Sequence, residues 1–271
     1  RHQGQVVKLN AKRILLTGAA GGIGRLLAAQ LSARGARLGL ADRDEAAVAA
    51  LAQDFSAGTA LAVAGDITRA EDRAAMVARM QETFGGIDVL INLAGILDFK
   101  RFQESDPGMI QRILQVNVEA PLQLARAVLP AMIAQGEGRI VNIGSMFGSI
   151  GFPGFAAYSA SKFALRGFSQ ALRRELAGTG VGVTYISPRA VKTPLNPEVV
   201  NRMAERGMMR MDDADWVAGE IVRAVEKDRN ESYLGFPEKF FARINAILPG
   251  VVDQGIAKQV PEILAFAQRN R

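Results

Sequence analysis

The chain has 271 residues, 49% hydrophobic and 22% charged, with 33 Lys+Arg against 27 Asp+Glu, one His and no Cys. That apolar share belongs to a globular chain, and the length suits one large α/β unit as well as two smaller ones. Without Cys there are no disulfides, thiolate zinc sites, iron–sulfur clusters or cysteine nucleophiles, and a lone His2 near the start leaves neither a histidine metal site nor a Ser-His-Asp triad.

The net charge of +6 suits a phosphate-bearing cofactor or an acidic carrier. No dense basic run carries interleaved aromatics, so nucleic acid is not an expected partner. Residues 1–10 are polar and lack the apolar core of a signal peptide. The longest uncharged stretch, 140–161, is broken by Gly144, Gly148, Gly151, Pro153 and Gly154 and made polar by Asn142 and four serines. The expectation is a soluble, cytoplasmic chain.

Short apolar runs at 13–17, 37–41, 60–64, 89–92, 139–143, 182–186 and 232–236 predict strands. Amphipathic stretches at 23–34, 70–84, 110–134 and 159–176 predict helices between them. Strands that are apolar throughout, alternating with helices, point to an α/β fold: a doubly wound parallel sheet of about seven strands with helices on both faces. No repeat, low-complexity tract or Pro-rich linker divides the chain. It is expected to form a single domain over 1–271, with a distinct C-terminal portion over 194–271.

The first strand runs into T-G-A-A-G-G-I-G, placing Gly18, Gly22 and Gly24 between a strand and a helix. Glycines there permit a tight turn and let backbone N–H groups approach a pyrophosphate, to which the helix N-terminus adds its dipole. Asp42 ends the second strand, where a carboxylate can bond the adenosine ribose hydroxyls and repel a 2′-phosphate. Arg43 follows directly and offers the opposite preference. The two residues pull in opposite directions between NAD and NADP.

Tyr158 and Lys162 stand four apart in Y-S-A-S-K, a spacing that puts both on one helix face. A free phenol is a poor base at neutral pH, but a nearby ammonium and an oxidised nicotinamide both favour the phenolate. Such a pair can move a proton while a cofactor moves a hydride. Ser145 lies just past the strand at 139–143, where its hydroxyl can donate to a carbonyl or alkoxide oxygen. Asn117 is a polar amide among apolar neighbours and needs a partner.

With its T-G-x-x-x-G-x-G loop and the set Asn117, Ser145, Tyr158 and Lys162, the chain resembles the short-chain dehydrogenase/reductase family over roughly residues 11–193. The resemblance implies a metal-free oxidoreductase that interconverts a secondary alcohol and a ketone with NAD, or with NADP. It implies that Tyr158 is the general acid/base, that Lys162 lowers its pKa and holds the nicotinamide ribose, that Ser145 orients the carbonyl, and that Asn117 holds a water in a proton path to Lys162. Gly21 stands where phosphate-preferring relatives often carry Arg or Lys, and with Asp42 this tips the balance to NAD over NADP. The resemblance gives Asp66 the adenine edge, and Asp66 or Thr68 is also a candidate cap for the next helix. It assigns Asn92, Ala94 and Gly95, in N-L-A-G, to the segment after the fourth strand, where Leu93 replaces a usual Asn. Pro188 and Thr193 match the segment after the sixth strand, and Thr193 would bond the carboxamide. Ile23, Ile67 and Val191 complete the implied cofactor site. Arg189 replaces a usual Gly; it points either to solvent, the favoured reading, or to the pocket mouth as an anion contact.

After Pro194 come Met203, Met208, Met209 and Met211, which the resemblance makes a lid over an apolar substrate and which can equally be core methionines. Trp216 reads as core on a helix capped by Asp212, Asp213 or Asp215. The tail then departs from the family's glycine-rich ending. Phe240, Phe241, Ile244, Ile247 and Leu248 recur at helical spacing. Three readings stand: a helix packed on the body or on a second subunit, a pocket wall, or an interfacial membrane anchor. The expected substrate is lipophilic (acyl, steroid-like or long-chain). The alternative is a 3-oxoacyl thioester on an acidic carrier docked by Arg166, Arg173 and Arg174. The rival classes are a non-catalytic dinucleotide scaffold, and a dehydration or epimerisation that would need a separate substrate domain. By resemblance the helices at 110–134 and 159–176 pair subunits into a homodimer or homotetramer.

Overall fold

The computed structural model describes residues 7–268; His2 lies outside them. In chain order the elements are β1 (Arg13–Thr17), α1 (Gly22–Ser32), β2 (Arg37–Asp42), α2 (Glu45–Gln53), β3 (Ala60–Ala64), α3 (Ala70–Phe84), β4 (Val89–Asn92), α4 (Pro107–Leu114), α5 (Ala120–Gln135), β5 (Gly138–Ile143), α6 (Ala156–Glu175) and β6 (Val181–Ser187). There follow β7 (Ala190–Val191), α7 (Glu198–Glu205), β8 (Met211–Asp212), α8 (Ala214–Glu226), β9 (Glu231–Tyr233), α9 (Glu238–Ile247), α10 (Pro249–Ala257) and α11 (Val260–Gln268). Seven strands form a parallel sheet in the order β3-β2-β1-β4-β5-β6-β9, and β7 pairs with β8 in a separate two-stranded ribbon.

The strands are apolar on both faces because both faces are covered. Within β1, Ile14 and Leu16 join Leu27, Leu31, Val217 and Ile221 of α1 and α8 on one side. Leu15 joins Met76, Met80, Leu124 and Val128 of α3 and α5 on the other. A third cluster, with Phe99, Phe155, Val200, Met203, Ile263 and Phe266, gathers residues of α7 and α11 and of the loops before α4 and α6.

Helix ends follow local chemistry. Asp44 caps α2, which the apolar periodicity did not reveal, by accepting from the Ala47 N–H at 2.9 Å. Gly85 and Gly136 end α3 and α5 in the left-handed conformation that glycine adopts without strain. The helix expected at 110–134 is two helices joined by a π-turn over Gln115–Glu119. The sheet's outermost strand is β9 at 231–233 rather than 232–236. Asp213 is the acidic residue that caps α8, through the Asp215 and Trp216 N–H groups. Trp216 is not core: it is 42% exposed, because the cap turns the first turn of α8 outward while Val217, Ala218 and Ile221 face the sheet.

The chain winds from β1 out to β3, then crosses back to β4 and continues the other way. The order therefore reverses between β1 and β4, and open parallel sheets bind ligands at the carboxyl ends of the strands at such a reversal. Thr17 and Asn92 end these two strands level with one another.

Candidate active site

At the reversal the backbone is stitched shut. The Thr17 hydroxyl accepts from the Leu93 and Ala94 N–H groups, each at 3.2 Å. Gly18 sits at φ +71°, and a Cβ there would fall 2.9 Å from the Ala94 backbone. At Gly24 a Cβ would fall 2.1 Å from the Gly18 carbonyl oxygen, so helix and loop approach closely only because no side chain intervenes. α1 begins with no side-chain cap, and Gly22, Ile23 and Gly24 of its first turn line a cleft of about 240 Å³. Asp42, Arg43, Asp66, Ile67, Ala94, Gly95 and Thr193 line the same cleft. These residues fit a dinucleotide: uncapped N–H groups of a helix N-terminus for the phosphates, and a carboxylate on the same wall for ribose hydroxyls.

Two carboxylates of this cleft are held in place. Asp42 accepts from the Ala20 N–H at 3.0 Å and from the Asp44 N–H at 3.2 Å. Asp66 accepts from Arg112 Nη2 at 2.7 Å and from the Thr68 N–H and hydroxyl at 2.9 and 2.7 Å. Burial pulls the Asp66 carboxyl upward, but Arg112 and Thr68 outweigh it and hold the group at about 2. Neither Asp66 nor Thr68 caps α3; the cap position is Arg69, and Asp72 reaches back to the Asp66 N–H at 2.8 Å. The carboxylate of Asp66 is committed to the loop instead.

A second cleft, of about 120 Å³, holds Ser145, Tyr158, Lys162, Pro188, Val191 and Thr193. It shares Ile23, Leu93, Gly95, Thr193 and Leu195 with the first, so the two are contiguous. Lys162 is buried, lies 5.6 Å from the Tyr158 ring centroid and donates to the Ile143 carbonyl at 3.1 Å. Burial lowers its ammonium to about 8. Burial also pushes the Tyr158 phenol up to about 12, with its hydrogen bond to the Ser145 hydroxyl pulling the other way. In the chain by itself desolvation thus outweighs that hydrogen bond, and the phenol keeps its proton at neutral pH. Ser145 follows β5, and its Oγ accepts from the Phe147 N–H at 3.2 Å.

Asn117 occupies the π-turn between α4 and α5. Its Oδ1 accepts from the Ile96 N–H at 2.9 Å, and its Nδ2 donates to the Ile96 carbonyl at 2.9 Å and to Ser161 Oγ at 3.0 Å. A Cβ on Gly95 would lie 3.3 Å from Asn117 Oδ1 and 3.5 Å from Lys162 Nζ. The side chain of Asn117 therefore braces the loop beside Lys162. Asn117 and Asn92 are the expected site residues that line neither cleft; Asn92 is buried and donates to Asn142 Oδ1 at 2.9 Å.

Arg189 does not point to solvent: it lines the reaction cleft, with its guanidinium taken up by Asp212 rather than left for an anion. Its Nε donates to Asp212 Oδ2 at 3.0 Å, its Nη2 pairs with Asp212 Oδ1, and its Nη1 donates to the Phe236 carbonyl at 3.3 Å. The side chain is 14% exposed, because β7 and β8 place Asp212 beside it. Arg166 and Arg173, two of the candidate carrier contacts, are also engaged. Arg166 lies 5.6 Å from the Tyr233 ring centroid, and Arg173 meets Glu231 at 3.3 Å. Sequence reasoning took Asp212 only as a candidate helix cap and missed Arg112, Ser161 and Tyr185, whose hydroxyl donates to the Ser145 carbonyl at 3.4 Å. These residues act through partners far away in the chain, and no local spacing announces them. Among the described residues there is no metal-binding cluster of His, Cys, Asp and Glu, and no helix is long and apolar enough to cross a membrane.

Residues 12–204 match the family model for short chain dehydrogenase. The chain is 34% identical over 225 residues to a ketoacyl reductase of Nostoc, covering 82% of this chain and 78% of that protein. It is 38% identical over 203 residues to an L-tagatose-forming galactitol 2-dehydrogenase of Cereibacter sphaeroides, covering 74% and 78%. A short-chain dehydrogenase/reductase of Burkholderia phymatum, solved with NAD, superposes with a TM-score of 0.81 at 26% identity, covering 89% of this chain and 94% of that one. The glycine loop, the paired clefts and these likenesses converge: the chain belongs to the short-chain dehydrogenase/reductase family and is an oxidoreductase acting on CH–OH groups with NAD or NADP.

Proposed function

We propose that the chain interconverts a secondary alcohol and a ketone on a lipophilic substrate, with NAD as the preferred cofactor. The observation that carries this reading is the meeting of Ser145, Tyr158 and Lys162 in one cleft that continues into the dinucleotide cleft. A bound nicotinamide supplies or takes the hydride. Tyr158 gives its phenolic proton to the substrate oxygen during reduction and takes it back during oxidation. Its raised pKa keeps it in the donating form, and Ser145 donates a second hydrogen bond to the same oxygen. Lys162, anchored to the Ile143 carbonyl, presents its ammonium beside the Tyr158 ring and the Gly95 loop. Asn117 fixes that loop.

Leu97, Phe147, Phe155 and Met209 line the reaction cleft, which favours an apolar substrate over a polyol. The portion from Pro194 onward serves as its lid within a single domain: its Leu195, Val200 and Met209 face the same cleft as Tyr158. Asp42, held by two backbone N–H groups, favours unphosphorylated ribose. Exposed Leu114, Ile133 and Phe163 on α4, α5 and α6 suit a homodimer or homotetramer built on those helices.

The test is turnover of secondary alcohols and ketones with each cofactor. Tyr158→Phe should lower kcat by about 10²–10⁴ while NADH fluorescence still reports binding. Undiminished turnover would remove the phenol from the reaction. Asp42→Ser should shift the kcat/KM ratio toward NADP, and an unchanged ratio would remove Asp42 from cofactor choice.

A further inference from the structure

Beside the reaction cleft lies a larger cavity of about 370 Å³, against about 120 Å³ for the cleft itself. Its size falls in the range of about 300–1,000 Å³ usual for ligand sites. Its far wall is built from α9 and α10 through Phe241, Ile244, Val252 and Ile256, in the part of the chain that departs from the family pattern. Its near wall is the wall of the reaction cleft: Met146, Phe147, Arg189, Ala190 and Met209 line both.

Arg189 stands between the two as a fixed post. Asp212 neutralises its charge, and the Phe236 carbonyl holds its third nitrogen. Among the described residues no carboxylate lines the cavity, and the polar ones are Arg189, Arg210 and Gln259. Those residues offer a cation no partner. An uncharged methylene chain would find methionine, phenylalanine and branched aliphatic surface.

We propose that this cavity is the seat of the apolar tail of a long-chain substrate whose alcohol or ketone carbon lies at Tyr158 and Ser145. The proposal rests on the oxidoreductase reading and adds a rule to it: chain length is measured by α9 and α10, on the far side of Arg189.

Gly255 provides the test. It lines the cavity from α10, and a Cβ added there meets nothing within 4 Å, so a larger side chain enters open space. Methyl ketones from 2-butanone to 2-dodecanone are reduced with NADH. In the unaltered chain kcat/KM should rise by about fourfold per methylene until the cavity is filled. Gly255→Phe should lower kcat/KM for 2-dodecanone more than tenfold and leave 2-butanone unchanged. Ile256→Ala should move the plateau to longer chains. A flat series, or equal losses at both lengths in Gly255→Phe, overturns the proposal.

Binding separates its failure from that of the oxidoreductase reading. Displacement of anilinonaphthalene sulfonate by 2-dodecanone, present in the unaltered chain and abolished in Gly255→Phe, supports the cavity even if no ketone is turned over. In that case it is the oxidoreductase reading that fails. Displacement that survives in Gly255→Phe places the tail elsewhere. NADH fluorescence in each variant checks that the chain has folded.

Discussion

The dinucleotide half and the C-terminal portion of this molecule are held together by different means. Around β1, α1 and β4 the backbone itself is the contact surface: Gly18, Gly24 and Thr17 bring loop, helix and strand to within a Cβ of one another. Around α7 and α11 the contacts are side chains of Met, Phe and branched aliphatics, with a paired Arg189 and Asp212 at the boundary. Backbone packing fixes which residues are tolerated, whereas side-chain packing fixes only their volume and polarity. The first region is therefore tied to one geometry, while the second can be rebuilt around a different substrate.

The largest effect should come from breaking the backbone contact. Gly24→Val places branched carbons where even a Cβ would be 2.1 Å from the Gly18 carbonyl oxygen. Loop and helix must separate, and NADH binding by fluorescence should be lost together with cooperative unfolding at the usual temperature. A Gly24→Val chain that binds NADH normally would show that the close approach is not required. An equally bulky change in the C-terminal portion, such as Met209→Phe, should leave NADH binding in place and alter only the reduction of ketones.

The ion pair between the regions should follow. Asp212→Asn removes the countercharge from an arginine whose side chain is 14% exposed. Breaking a buried pair costs about 3–5 kcal/mol, and partial solvation brings the expectation to the low end, about 3 kcal/mol, read as a fall in the urea midpoint. Arg189→Met with Asp212→Leu should recover most of it, since replacing a buried pair with apolar groups is often neutral. If the double variant is as unstable as Asp212→Asn, the pair is doing more than neutralising charge.

This contrast also explains what the sequence could tell. The strand at 13–17, the helix at 70–84 and the strand at 89–92 are legible to the residue, because apolar runs between turn signals leave few alternatives. The glycine loop and the Tyr158–Lys162 spacing are legible because they are local. The fate of Arg189 was not, since Asp212 is 23 residues away and the β7–β8 ribbon that joins them has two residues per strand. Two-residue strands carry no periodicity. The π-turn at 115–119 was equally silent, as its residues continue an amphipathic pattern that suits an unbroken helix. Trp216 misled because a large aromatic on a helix usually faces inward, whereas the Asp213 cap set the rotation of α8 first.

The smallest of these effects tests the boundary between stability and function at Lys162. Its ammonium is lowered from 10.5 to about 8 by burial, so between those values the unfolded chain binds a proton that the folded chain has released. Stability must then rise with pH through that window. Tyr158, Tyr185 and Tyr233 oppose as the pH nears 10, where the unfolded phenols ionise and the folded ones, all raised by burial, do not. The clean interval is therefore pH 8 to 9. A pH unit is worth about 1.4 kcal/mol at most for a single group, so a gain of about 1 kcal/mol is expected. Urea midpoints of the unaltered chain should climb over this interval, and those of Lys162→Met should not. Parallel climbs in both would assign the pH dependence to other groups and would mean that the buried ammonium carries no penalty in the fold. A climb lost with Lys162 would identify a charge that the fold holds at a cost, in the cleft where Tyr158 needs it.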